Sequence, residues 1–140
     1  MKWLESSRAC CCCSLLLLLL LLRLLLLAVV NRYTSAPPAV GFIRGFGIGA
    51  GAIASSVAHD CHNVVAVGGS RHALAEAVSA LFKSRGGLAL HDGSRTEVLP
   101  LPIAGLMSDQ PFERVAADYE RLTAAARAPP RPSATIISIR

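Results

Sequence analysis

The sequence predicts an α+β fold: a small, mainly antiparallel sheet with about two main helices, preceded by a low-complexity apolar N-terminal segment. Three observations support this class. Short runs of β-forming residues follow one another closely, two longer segments have helical periodicity, and no strand–helix–strand unit repeats along the chain. With 140 residues, the chain has room for one domain of ordinary size.

Three short strands are predicted in the first part of this domain. Apolar and β-branched residues dominate residues 40–46, 51–58 and 63–69. Between the first two runs, glycines occupy every second position from Gly45 to Gly51. A dinucleotide-binding loop has similar glycines, but it needs a helix directly after them and a carboxylate at the end of the next strand. The sequence has neither, so we expect a bend where backbones approach closely.

The first helix is predicted over residues 70–85. Ser70 suits the N-cap position, and Gly86 and Gly87 suit the stop. The spacing of its apolar residues defines one helical face, formed by Leu74, Val78, Leu81 and Phe82.

A hairpin and a second helix complete the predicted domain. Asp92-Gly93 is a favoured tight-turn pair within residues 88–98, and the two prolines of residues 99–109 exclude a central strand there. The second helix follows and ends near Arg127. The residues that support it are the candidate caps Ser108 and Asp109, the first-turn Pro111, and the shared face of Val115, Tyr119 and Leu122.

The ends of the chain differ from its middle. We assign four regions: a Cys- and Leu-rich segment (1–31), a linker (32–39), the domain (40–127) and a divergent tail (128–140). Residues 15–30 form an apolar run that only Arg23 interrupts. A secretory signal, a membrane anchor and a CTG repeat translated in two frames are open explanations of this run.

The distribution of charge argues against nucleic-acid binding. The chain has a net charge of +5, yet residues 40–127 contain eight basic and eight acidic side chains. The excess therefore comes from the flanks, and the domain has no basic stripe and few aromatic residues for base stacking.

A polar cluster follows the second predicted strand. His59, Asp60, His62 and Asn63 surround Cys61, and several of these residue types bind zinc. Adjacent residues rarely converge on one ion, however, and no second cluster lies at zinc-finger spacing. Adjacency also does not place an imidazole on the thiol for nucleophilic catalysis. We expect a polar turn between strands.

Two stretches carry a family resemblance. "GAIASSVAHDCHNVVAVG" (51–68) and "LPLPIAGLMSD" (99–109), separated by a helix and a hairpin, resemble the C-terminal domain of adenine deaminases, enzymes of the amidohydrolase family. The resemblance extends from about Val40 to Arg127. Cys61 stands where this family usually has serine.

The resemblance implies a cytoplasmic, metal-dependent hydrolase that converts adenine to hypoxanthine and ammonia. Mn or Fe ions would lie in a separate barrel whose ligands begin with an H-x-H element, which this sequence does not contain. We therefore expect a domain that binds no cofactor, has no catalytic residues and is inactive alone. Its implied partner is the barrel or a second copy. The candidates for substrate binding or a domain interface are His59, Asp60, His62 and Asn63. A non-catalytic interaction module, tethered to a membrane through residues 15–30, is the alternative.

Overall fold

The computed structural model describes residues 24–127, and the predictions for residues 1–23 and 128–140 lie outside this range. Six strands form one sheet in the order β2-β1-β4-β3-β5-β6, with every neighbouring pair antiparallel. The elements are β1 (Leu25–Val30), β2 (Ala39–Ile43), β3 (Ala52–Ser55), β4 (Val64–Gly68), α1 (Arg71–Lys83), β5 (Gly87–His91), β6 (Thr96–Pro100) and α2 (Phe112–Arg127). The predicted α+β class is confirmed.

Strand β1 contains residues that the sequence alone placed in the apolar N-terminal segment. In the structure it lies between β2 and β4, where Ala28 is opposite both Val40 and Ala66. A continuous apolar run fits an internal strand as well as a signal or an anchor, so its hydrophobicity does not distinguish them. The sheet therefore begins before residue 40. Among residues 24–127, no helix is long and apolar enough to cross a membrane.

A row of small side chains crosses the sheet beneath α1. The strand registers align four alanines from β1, β4, β3 and β5, in the order Ala28, Ala66, Ala54 and Ala89. Ala73 and Ala77 of α1 belong to the same buried cluster. Because none of these side chains extends beyond a methyl group, the helix can lie close to the sheet, and small changes in volume there are costly.

Helix α1 begins as predicted, but its buried face is centred differently. The Ser70 hydroxyl accepts a hydrogen bond from the Ala73 N–H at 3.1 Å, which confirms the N-cap. The residues that it buries are Ala73, Leu74, Ala77 and Leu81. Phe82, predicted on the buried face, is 50 % exposed. Ala73 and Ala77 lie on the buried face instead, because their short side chains allow the helix to lie close to the sheet.

Helix α2 covers the opposite face of the sheet. Leu122 packs with Leu90 and Leu99 in a second buried cluster, while Tyr119 remains exposed. The helix starts after Pro111, whose carbonyl oxygen accepts hydrogen bonds from two N–H groups of the first turn. Ser108 and Asp109 thus lie before the helix start, and the Ser108 hydroxyl accepts from Gln110 instead.

Candidate functional site at the polar end of the sheet

Four loops meet at one end of the antiparallel sheet, which we call the polar end. They follow β1 (residues 31–34), join β3 to β4 (56–63), precede β5 (84–86) and follow β6 (101–107). Both stretches that carried the family resemblance contribute to this end. The topology therefore brings together two motifs that lie more than 30 residues apart in the chain.

Ser56 joins these two motifs. Its hydroxyl donates to the Gly105 carbonyl oxygen at 2.6 Å and accepts from the Gly87 N–H at 2.7 Å. The Ser56 N–H also donates to the Gly87 carbonyl oxygen at 3.0 Å. The side chain is only 1 % exposed, so loss of this hydroxyl would leave buried backbone groups without partners.

Two glycines make this junction sterically feasible. A Cβ atom on Gly86 would lie 2.4 Å from the Cα atom of Gly105, and its φ of +116° lies in the region that glycine favours. A Cβ atom on Gly105 would lie 2.4 Å from the Nη1 atom of Arg32. The absence of these side chains allows the loops to touch and admits the Arg32 guanidinium.

Arg32 is a polar-end residue that the sequence did not identify, since it was assigned to the linker. Its Nη2 donates to the Ala104 carbonyl oxygen, and its Cζ lies 5.5 Å from the centroid of the Tyr33 ring. The Nη1 atom is buried and has no hydrogen-bond partner among residues 24–127. A single arginine after an apolar run has no distinguishing pattern, so only the fold reveals its position.

The predicted candidates divide into two pairs. His59 and Asp60 are exposed, whereas His62 and Asn63 are half-buried. The His62 N–H donates to the Ala58 carbonyl oxygen at 2.8 Å, and His62 has a φ of +50°, which is uncommon for a non-glycine residue. The His62 Nδ1 and Asn63 Oδ1 atoms are buried and have no hydrogen-bond partner in the described part of the chain. The turn is therefore strained and incompletely satisfied on its inner side.

The described residues do not fit a metal site. Within residues 24–127, no three His, Cys, Asp or Glu side chains are grouped in a way that could hold an ion. The Mn or Fe implied by the resemblance has no ligand set in this part of the chain, and we assign no metal-dependent step to it.

The opposite end of the sheet, which we call the glycine end, contains the glycine-rich stretch from Gly45 to Gly51. A Cβ atom on Gly51 would lie 2.3 Å from the His91 carbonyl oxygen, and one on Gly69 would lie 2.2 Å from that of Gly49. His91 and His72, isolated in sequence, have ring centroids 6.1 Å apart, and His91 Nδ1 lies 2.9 Å from Thr96 Oγ1. Gly51 and Gly69 thus allow close backbone contact at this end. Nothing lies within 4 Å of a Cβ atom on Gly45 or Gly47, and their φ values of +93° and +67° suit a bend.

Together these features define a small α+β domain. The loops at one end of its sheet carry Arg, His, Asp and Asn side chains, which are residue types that commonly bind ligands. The family model described as the adenine deaminase C-terminal domain matches residues 21–136. The chain therefore belongs to the adenine deaminase C-terminal domain family, which confirms the resemblance found in the sequence.

In curated relatives, the region that matches this chain is part of a longer protein. The adenine deaminase of Salinibacter ruber is 61 % identical over 103 residues, which are 72 % of this chain and 18 % of the relative. That of Syntrophobacter fumaroxidans is 52 % identical over 103 residues, with the same two shares. That of Parabacteroides distasonis is 44 % identical over 94 residues, 67 % of this chain and 17 % of the relative. The matched region thus spans less than a fifth of each of these relatives.

Proposed function

We propose that this chain acts in the hydrolysis of adenine to hypoxanthine and ammonia, as the C-terminal domain of an adenine deaminase. The family match across residues 21–136 carries this proposal. In the proposed arrangement the domain is inactive alone, and a separate metal-binding part activates the water that attacks the purine. By the same resemblance, we place this activity in the cytoplasm.

The grouping of side chains in the described domain supports the proposal that the chemistry takes place in another part of the enzyme. Water activation at a purine carbon requires a bound metal ion with several fixed ligands and an adjacent acid–base group. Residues 24–127 contain no such ligand set. The chemistry is therefore proposed to reside in the part of the relatives that the matched region does not cover.

The polar end is the proposed contact with the catalytic part. It combines the exposed His59 and Asp60 with an adjoining apolar groove, whose lining includes Val57, Leu101 and Phe112. Phe112 is 80 % exposed. An exposed aromatic beside polar groups is typical of a protein interface.

The inactivity of the isolated domain is tested by incubating the purified chain with adenine and Mn²⁺ or Fe²⁺. We expect no hypoxanthine above the uncatalysed background, measured by liquid chromatography. Metal-dependent hypoxanthine formation at enzymatic rates would contradict this part of the proposal.

The participation of the domain is tested in a chimera. Residues 21–136 replace the matching region of the Salinibacter ruber enzyme, and the same enzyme without that region serves as the control. We expect the chimera to deaminate adenine and the truncated control to lose activity. A folded, metal-loaded chimera without activity would refute the functional equivalence, and an active truncated control would refute the need for the domain.

A further inference from the structure

We propose that Arg32 and His62 form a carboxylate-binding site at the polar end, with Asn63 beside them. None of the three belongs to a metal ligand set among residues 24–127, and Arg32 carries a permanent positive charge. The ligand class follows from charge, from the placement of the residues and from their unused hydrogen-bonding atoms.

The charge of Arg32 lacks a counterion among residues 24–127. Arg95, Arg114 and Arg121 have side chains that are 60, 71 and 62 % exposed, yet each forms an ion pair. Arg32 is half-buried and forms none with a described carboxylate. Buried charges in proteins are normally paired. Arg32 is less exposed than the three paired arginines, so its environment favours a bound anion.

The end of β1 and the start of β4 bring the segments of Arg32 and His62 to the same part of the polar end. Val30 of β1 is opposite Val64 of β4, and Arg32 and His62 each lie two residues outside this pair in sequence. The site is therefore formed where two neighbouring strands end.

Three hydrogen-bonding side-chain atoms of the cluster have no partner among the described residues. Four buried side-chain atoms of the described residues have no partner, and three of them are Arg32 Nη1, His62 Nδ1 and Asn63 Oδ1. The guanidinium is already fixed by its bond to Ala104 and its position over Gly105. Because an amide can turn by 180° to present its NH₂ group, each of the three side chains has a group that can donate to a carboxylate oxygen.

A carboxylate fits this set better than a phosphate does. One guanidinium supplies a single positive charge, which balances a monoanion and leaves a dianion undercompensated in a partly buried position. The planar fork of arginine also matches the two oxygens of a carboxylate. The carboxylate can come from an acidic side chain of the catalytic part, a source that rests on the proposed function, or from a free small acid.

The site is tested by titrating the full chain with sodium acetate against sodium chloride at constant ionic strength. We expect saturable shifts of backbone amide resonances in residues 31–34 and 57–63. Arg32→Gln should weaken acetate binding about tenfold or more, which corresponds to one charged hydrogen bond. Arg44→Gln is the matched control, since Arg44 is exposed and lies beyond the other end of the sheet.

Two further arms make the test decisive. Arg32→Lys keeps the charge without the planar fork, so an intermediate affinity is expected, and unshifted amides elsewhere verify that each variant is folded. A blocked Gly-Asp-Gly peptide that binds more tightly than acetate identifies a protein side chain as the ligand, whereas tighter acetate binding identifies a free acid. Absence of saturable shifts in the wild type, or equal binding by Arg32→Gln, would overturn the site. Neither outcome depends on the deaminase assays.

Discussion

The two ends of the sheet use their loops differently. At the glycine end, backbones touch where Gly51 and Gly69 lack side chains, and the Ser70 cap closes the start of α1. At the polar end, a buried serine joins two loops, and three buried polar side-chain atoms have no hydrogen-bond partner among residues 24–127, against one, His91 Nε2, at the glycine end. The glycine-rich stretch resembled a binding loop in sequence but has a structural role. We therefore propose that the functional residues lie at the polar end.

The largest expected effect lies at the glycine end. Gly51→Ala puts a methyl group 2.3 Å from the His91 carbonyl oxygen, and a backbone atom cannot give way without moving the strand. We expect a loss of about 3 kcal/mol in the free energy of unfolding, measured by urea denaturation. Gly41→Ala is the control, because nothing lies within 4 Å of its Cβ position. Equal losses in the two variants would remove the close approach as the cause.

At the polar end, Ser56→Ala tests the link between the two loops. The substitution leaves the Gly87 N–H and the Gly105 carbonyl oxygen without their hydroxyl partner. We expect a loss of about 2 kcal/mol by urea denaturation. Ser79→Ala on the exposed side of α1 should change stability by less than about 0.5 kcal/mol. A Ser56→Ala variant as stable as the wild type would show that the link is dispensable.

Ser70→Ala should have a smaller effect, confined to the glycine end. It removes the cap of the Ala73 N–H, and we expect a loss of about 1 kcal/mol. Ser70→Asp should retain most of the stability, since a carboxylate also accepts at an N-cap. If the two variants lose the same amount, the cap contributes through something other than its acceptor.

The smallest expected effect has the opposite sign. His62→Gly relieves a positive φ, so we expect a gain of about 0.5 kcal/mol in the free energy of unfolding. Arg85→Gly, at a φ of +63°, is the matched change outside the 56–63 loop. A loss on replacing His62 would mean that its ring stabilises the domain, and the case for a binding role would weaken.

Local signals in the sequence were sufficient for most of the fold. Ser70 and the Asp92-Gly93 pair marked a helix start and a hairpin, and the structure has both. In the hairpin, the Asp92 carboxylate accepts from the Ser94 and Arg95 N–H groups. Such signals act within a few residues, which is why they could be identified without knowledge of the fold.

The candidate site depended on contacts that no local pattern contains. The polar turn at residues 59–63 was identified from its residue types, but not the division into outward His59 and inward His62. Arg32 and Gly105 are 73 positions apart, so no local pattern relates them. Strand β1 was not predicted because it lies in a leucine run that is compatible with several structures. The positions of these residues depend on pairing between strands that are distant in sequence. That pairing is determined by the sheet as a whole.

The most direct test of the difference between the two ends is kcat/KM for adenine in the chimera with the Salinibacter ruber enzyme. Ser70→Ala is introduced at the glycine end and Arg32→Gln at the polar end, each assayed well below its melting temperature. We expect Arg32→Gln to lower kcat/KM about tenfold or more at unchanged metal content, and Ser70→Ala to leave it unchanged. Equal kcat/KM values for the two variants would contradict a functional role for the polar end.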